Sequence, residues 1–327
     1  MSDSIDTMLS PFHDGEQAMQ ARAGVREKLE EIGPRLIRDH MPDQHRELFA
    51  KLPMVLLGSL DAGGQPWASV LMREHGLMTS SDAHHLEIHA LPQKGDPLAN
   101  NLRPGALIGM LGIEPHTRRR NRMNGVVAAL DQQGFVLKVQ QSFGNCPKYI
   151  QARQPQMQQG AASEPVPERG ATLNAAMMDI ISRADTYFIA SAYRNDGAGD
   201  ARHGVDISHR GGKPGFVRVD DAATLTAPDF IGNFFFNTLG NLSVNPKAGL
   251  LFIDFDSGDL LYLAADAQII FDPQQAQAYT GAQRLLRYTI REAIRLPQAL
   301  PLRWSEAQLS PVLAATGSWD TAVEDTK

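Results

Sequence analysis

The sequence predicts a mainly β protein (β with flanking α), built as two small barrels in tandem. Three observations carry this. The chain has 327 residues, which is room for two ordinary domains at roughly 150 residues each. Short apolar runs separated by turn chemistry recur along both halves. The second half also repeats the first: MVLLGSLDAGG (54–64) stands beside YFIASAYRNDG (187–197), and LRPGALIGMLGIE (102–114) matches VNPKAGLLFIDFD (244–256), with Pro104 over Pro246 and Ala106 over Ala248. Weak likeness between any two β segments is the competing explanation; internal duplication is the expectation.

The elements follow in order. Residues 1–14 are polar and read as a flexible start. Ala18, Ala21, Val25, Leu29 and Ile32 fall three or four apart, an amphipathic helix over 15–32 that Gly33-Pro34 stops. A second short helix is expected from Pro42-Asp43 to just before Pro53. Runs at 54–60 and 66–72, joined by Asp61-Ala62-Gly63-Gly64, predict a β-hairpin. Further strands are expected at 86–91, 106–113, 119–130 and 135–142. Asp96 and Pro97 open a short helix to Leu102. The stretch 151–170 (QARQPQMQQGAASEPVPERG) has almost nothing to bury and reads as a linker. A helix at 171–183 and strands at 186–191, 215–219, 248–255 and 260–271 complete the second half. The expected organisation is an N-terminal helical segment (1–44), a first barrel (45–152), a linker (153–172), a second barrel (173–300) and a C-terminal tail (301–327).

Composition narrows the function classes. Hydrophobic residues make up 43% and charged residues 21%, the balance of a globular chain rather than a disordered or rod-like one. The net charge of −6 repels phosphate backbones, so no nucleic-acid partner is expected. Cys146 is the single cysteine, which excludes an intramolecular disulfide and a cysteine-cluster zinc site. No metal is expected, and the histidines at 84, 85 and 89 read as surface residues. No apolar run approaches the ~20 residues of a membrane span. The start lacks a basic n-region and an apolar h-region, so the expected location is cytoplasmic, with no membrane partner.

Four segments could carry chemistry. In VDISHRGGKPGFVRV (205–219) a strand runs into an expected loop holding Ser208, His209, Arg210, Gly211, Gly212 and Lys213. Glycine amides with hydroxyl and cationic donors suit a phosphate monoester, although an exposed basic hairpin loop has the same composition, and this is not a P-loop. In PDFIGNFFFNTLGNL (228–242) Asn233, Asn237 and Asn241 are four apart and would form one polar stripe on a helix. Carboxamides suit a heterocycle; a helix N-cap at Asn233 with structural side-chain bonds is the alternative. In TRRRNRMNG (117–125) alternation puts Arg118, Arg120 and Arg122 on one strand face. That face is either a small-anion receptor or a solvated edge that discourages aggregation. RNA binding is a third reading, disfavoured by the charge and by the lack of interleaved aromatics. In GNCPKYIQ (144–151) Asn145 and Pro147 suit a helix start, which would lower the pKa of the Cys146 thiol; a lone cysteine is also commonly just packed.

These segments together (SHRGGKPGFVRV, PDFIGNFFFNTLGNL…NPKAGLLFIDF, RRRNRMNG and GNCPKYI) resemble the pyridoxamine 5′-phosphate oxidase-like proteins, more narrowly the bacterial branch described as flavin-nucleotide-binding. The resemblance covers about residues 45–300. It implies a split β-barrel fold binding FMN at an interface between two barrels; with the internal duplication expected above, the chain is a tandem pair of split β-barrels that lets one chain supply both sides, a homodimer being the alternative. It implies that Ser208 and Arg210 hold the FMN phosphate, assisted by Gly211, Gly212 and Lys213. Pro214, Gly215 and Phe216 would line the isoalloxazine, and Asn233, Asn237 and Asn241 would meet its polar rim or ribityl chain. Arg118, Arg120, Arg122, Cys146 and Lys148 are candidates for the far wall or a substrate site. Pyridoxamine phosphate oxidase proper is a shorter, single-barrel chain, and its C-terminal substrate-phosphate motif has no match here. Fold and flavin therefore transfer better than substrate.

The expected function is an FMN-dependent oxidoreductase acting on a small-molecule substrate or electron donor. The alternative is a non-enzymatic flavin- or haem-binding or electron-transfer protein. FMN is expected rather than FAD, because the glycine fingerprint GxGxxG and a second phosphate cradle are missing. One FMN per chain is expected: ASVLMREH (68–75), the match to 208–216, lacks the glycine pair and the lysine, although Asn100 and Asn101 remain.

Overall fold

The computed structural model describes residues 10–158, 165–193 and 202–319. The expected first helix is two: α1 (Asp14–Arg22) and α2 (Arg26–Leu36). The chain breaks at Gly24, which takes the left-handed conformation at φ +69°, while α2 runs on through Pro34 before ending at Leu36. Of the expected flexible start, residues 1–9 lie outside the described residues. Phe12 and His13 are packed inside, 0% and 2% exposed. α3 (Asp43–Lys51) forms as expected.

The first sheet comprises β1 (Met54–Leu60), β2 (Pro66–Met72), β3 (Met78–Thr79), β4 (His85–Ile88), β5 (Leu107–Glu114), β6 (Arg119–Leu130) and β7 (Phe135–Gly144), with α4 (Leu98–Asn101) before β5. The expected helix at Asn145-Cys146-Pro147 does not form; Tyr149 sits at φ +64°, which a right-handed helix cannot accommodate. Then come β8 (Pro155–Met157), β9 (Glu168–Gly170) and α5 (Ala175–Arg183), whose N-cap Asn174 accepts from the Met177 amide. Part of the expected linker, 159–164, falls outside the described residues.

The second sheet comprises β10 (Thr186–Tyr193), β11 (Gly204–Gly211), β12 (Arg218–Asp221), β13 (Thr224–Asp229), β14 (Lys247–Ile253), β15 (Leu260–Ile270) and β16 (Arg284–Leu296), with α6 (Asn237–Val244) before β14 and α7 (Pro273–Ala276) before β16. β9 adds to β16, and β17 (Leu302–Trp304) pairs with β8. The expected strand at 215–219 is mostly turn. No expectation covered β16. Its arginines at 284, 287, 291 and 295 recur at helical spacing and mask the alternation of a strand.

The sheet orders are β2-β1-β5-β6-β7-β4-β3 and β11-β10-β14-β15-β16-β13-β12. Moving every strand nine places along the chain turns the first order into the second. The named strand pairings are antiparallel, and among the described residues neither sheet closes on itself. Each sheet has its own apolar core. A third core lies between the sheets and takes side chains from both, among them Met54, Leu56 and Trp67 from the first and Phe188, Ile207 and Tyr262 from the second. Two glycines admit the crossing strands: a Cβ on Gly109 would stand 2.3 Å from the Val205 carbonyl oxygen, and one on Gly249 would stand 2.3 Å from that of Pro66. No helix among the described residues is long and apolar enough to cross a membrane.

Candidate anion-binding site

Because Gly109 lets β5 lie against β11, the neighbouring strand β6 brings its charged face alongside the polar face of β11. Alternation puts Arg120, Arg122 and Asn124 on one side of β6, and Asp206, Ser208 and Arg210 on one side of β11. Between them opens a cleft, with Asn145 and Cys146 along one edge and the segment 230–239 as its other wall.

The floor is a chain of polar contacts from the two halves. Arg122, 3% exposed, donates from Nη1 to Asp206 Oδ1 at 3.2 Å and from Nη2 to Ser208 Oγ. Ser208 Oγ also lies 2.9 Å from Thr238 Oγ1. Arg120 Nε donates to the Cys146 carbonyl at 2.8 Å, and its terminal nitrogens have no partner among the described residues. Arg210 holds Asp229 only loosely, at 3.7 Å. The Nε atoms of Arg122 and Arg210 are buried without acceptors, as is His209 Nδ1. Burial, then the charges of Arg122 and Arg210, pulls the pKa of Arg120 down. Burial also lowers that of Arg122, against the opposing pull of Asp206. His209 is pushed well below its ordinary range by burial and by Arg120 and Arg210, so it is neutral. Three guanidiniums thus crowd one cleft with donors to spare.

The far wall adds more donors. Phe234 and Phe236 are both left-handed, at φ +64° and +63°, and this turn aims the start of α6 at the cleft. Phe236 supplies no side-chain cap, and residues 237–239 of the first turn, whose amides have no intrahelical partner, line the cleft. Phe230 stacks on Tyr149 with centroids 5.1 Å apart, giving the rim an aromatic surface.

Behind α6 lies α1, packed closely enough that a Cβ on Gly15 would meet the Gly240 carbonyl oxygen at 2.3 Å. Asn237 donates to Glu16 Oε1 at 2.5 Å, and the His13 amide donates to Oε2. Burial, reinforced by Asp206, raises the Glu16 pKa to about 8, so Glu16 holds a proton at neutral pH.

The structure brings together Arg120, Arg122, Cys146, Ser208, Arg210, Asn233 and Asn237 around the cleft. The expected loop is a strand, and the expected roles of several residues change. Ser208 to Gly211 belong to strand β11, not to a loop. A Cβ on Gly211 would strike the Tyr149 carbonyl, and one on Gly212 the Phe216 side chain, so these glycines serve packing. Lys213 Nζ donates to the Thr316 carbonyl at 2.6 Å. Pro214 is exposed and Gly215 occupies a turn at φ +78°. Phe216 is 1% exposed and stacks on Tyr187 in the core. Asn233 is not helical but caps its own turn by accepting from the Phe235 amide. Asn241 is sealed among Ser191, Asp206 and His13. Arg118 leaves the arginine face because its backbone is left-handed, and it donates to the Ile150 and Gln308 carbonyls. Lys148 is outside the lining.

Sequence reasoning missed Glu16, His13, Asp206, Thr238 and Asp229. Only Glu16 left a trace: three residues after His13, it completes a capping box. The rest meet the site by tertiary contact alone. Among the described residues, no group of His, Cys, Asp and Glu could hold a metal ion.

No family model and no curated protein matches the chain. Among solved structures, a candidate pyridoxamine 5′-phosphate oxidase from Lactobacillus delbrueckii is 16% identical, over 38% of this chain and 94% of that one, with a TM-score of 0.29. HupZ from Group A Streptococcus is 16% identical over 36% and 89%, with a TM-score of 0.28. An FMN-binding protein from Syntrophomonas wolfei is 15% identical over 36% and 80%, with a TM-score of 0.25.

Proposed function

We propose that the cleft between the two sheets binds FMN, and that the protein is an FMN-dependent oxidoreductase of the pyridoxamine 5′-phosphate oxidase-like type acting on a small molecule. The observation that supports it most is the convergence of Arg120, Arg122 and Arg210, with unfilled donors, on the uncapped start of α6. A phosphate dianion fits that arrangement: guanidinium forks and helix-start amides are what it binds best. Tyr149, Phe230 and Phe234 offer apolar rim for a flat ring, while Asn233 and Asn237 offer carboxamides.

The residue roles shift from the sequence expectation. Arg120 and Arg210 hold the phosphate, Arg122 and Ser208 form the floor, and the glycine-lysine segment 211–213 supports the strand end. One chain then supplies both sides of the site, β6 from the first half and β11 with α6 from the second. We infer also that the two halves are split barrels related by duplication; the shared strand order supports this. When bound, FMN itself supplies hydride or electron transfer. The chain's part is to bind and orient it, since no lining side chain is poised as a general base: His209 is held neutral and buried among cations. That feature also favours the second reading, a flavin carrier or electron-transfer protein without turnover.

The deciding experiment is the absorption spectrum of the purified protein, followed by a fluorescence titration of the stripped protein with FMN and mixing of the loaded protein with NADH and NADPH. A flavin spectrum, saturation at one FMN per chain and bleaching by a nicotinamide support the oxidoreductase. FMN binding without bleaching favours the carrier, and absence of binding removes the flavin reading. Mass spectrometry of the released cofactor should give FMN and not FAD.

A further inference from the structure

Matching strands nine places apart aligns individual residues of the two halves. Gly58 pairs with Gly109 as Ala190 pairs with Gly249. In the same ladders Ser69 stands opposite Leu57 as Ser208 stands opposite Ile189. Arg122 stands opposite Leu111 as Tyr262 stands opposite Leu251. Asn101 donates to Ser59 at 3.0 Å and Asn241 to Ser191 at 3.1 Å, which aligns α4 with α6.

These alignments set two places on the interface side by side. In the cleft, Arg122 from the other half donates to Ser208 Oγ, Ser208 bonds Thr238 at the turn into α6, and beside them the terminal nitrogens of Arg120 have no partner among the described residues. At the matching place, the same three positions all donate to one carboxylate. Ser69 Oγ donates to Asp96 Oδ1 at 2.6 Å, the Leu98 amide donates to the same oxygen at 2.8 Å, and the Tyr262 hydroxyl from the other half donates to Oδ2 at 3.0 Å. Asp96 is 1% exposed. The cations are absent there too: the ladders put Leu260 where the cleft has Arg120, and Leu71 where it has Arg210. A single carboxylate tethered to the chain is satisfied by hydroxyl and amide donors, whereas a diffusible dianion needs guanidinium.

We propose that the interface carries two copies of one anion-binding arrangement, and that Asp96 is the built-in anion that fills one of them, leaving the cleft for an external anion. The inference rests on the cleft being an anion site, and it requires neither FMN nor turnover.

Asp96→Ala should leave a hole the size of a formate ion. In an Arg120→Ala background, which disables the cleft, Asp96→Ala should melt several degrees lower, and formate in the millimolar range should restore most of that loss with a saturating dependence. Sodium chloride at equal ionic strength should not. Asp96→Asn, whose amide refills the space, should show no formate effect. If Asp96→Ala does not stay folded, refolding from urea in formate against chloride gives the same comparison. Formate no better than chloride overturns the proposal, as does an equal formate response in Asp96→Asn. Failure of the wild type to bind FMN would remove the flavin reading and leave the formate result standing.

Discussion

Arg120 is where the cleft's charge balance has its sharpest consequence, because its terminal nitrogens have no protein acceptor among the described residues and two more guanidiniums crowd it. Arg120→Ala should weaken FMN binding by about 2–5 kcal/mol, the cost of removing one partner of a desolvated charge pair. Arg210→Ala, at a partly exposed and loosely paired side chain, should cost less, at least tenfold or about 1.4 kcal/mol. Riboflavin lacks the phosphate, so its affinity should be nearly unchanged in both variants; equal weakening of both ligands in a fluorescence titration would make the arginines structural. Asp96 has a different signature. Burial raises its pKa from 3.8 to about 6, against the hydrogen bonds from Ser69, Leu98 and Tyr262. The folded state therefore holds this proton more tightly than the unfolded chain does. That contribution is complete below about pH 4 and is lost as pH rises through about 6, amounting to about 3 kcal/mol for two pKa units. Asp96→Asn should flatten the fall in urea-unfolding free energy between those pH values, and an unchanged slope would place the titration elsewhere. Of these two residues, only Arg120 stood out in the sequence, as part of an arginine run. Asp96 was legible as a helix cap, but its partner Tyr262 lies 166 residues away.

At the scale of elements, glycines decide where the two sheets can meet. Gly109 and Gly249 each take a backbone carbonyl of the other half where a Cβ would be. Gly249→Ala should lower the urea-unfolding free energy by about 1–3 kcal/mol, the range for overpacking. Gly204→Ala in β11, where nothing stands within 4 Å of the new methyl, is the matched control and should change little. The hairpin of β1 and β2, the strands β5 to β7 and α3 were readable because alternation and turn residues are local. The stripe of three asparagines was not a stripe: the left-handed Phe234 and Phe236 break the chain between Asn233 and α6, and aromatic residues carry no sequence mark for that backbone. The internal match also needed the ladders. They align Ser69, not Ala68, with Ser208, and Gly109 with Gly249, two residues out of step with Pro104 over Pro246. A slip of one residue would have turned the wrong face to the interface.

For the whole molecule, the core between the sheets is the consequential feature, because neither half covers it alone. Residues 10–158 and 165–319 produced separately should be insoluble or bind a hydrophobic dye strongly, and should recover as a soluble pair when co-expressed. Two independently soluble, cooperatively melting halves would mean that this core contributes little. The same junction explains what could be read in advance. Composition, alternation and turn chemistry act over a few residues, so the amino-acid order by itself determined a mainly β chain with flanking helices, a repeated pattern and basic segments suited to an anion. It could not say that Arg120 and Arg122 would face Ser208 and Arg210, that Lys213 would turn away to Thr316, or that Glu16 and Asp206 would stand behind the cleft. Those placements depend on how two sheets cross, which is settled by close backbone approach at Gly109 and Gly249 and by apolar surface that only the paired halves can bury.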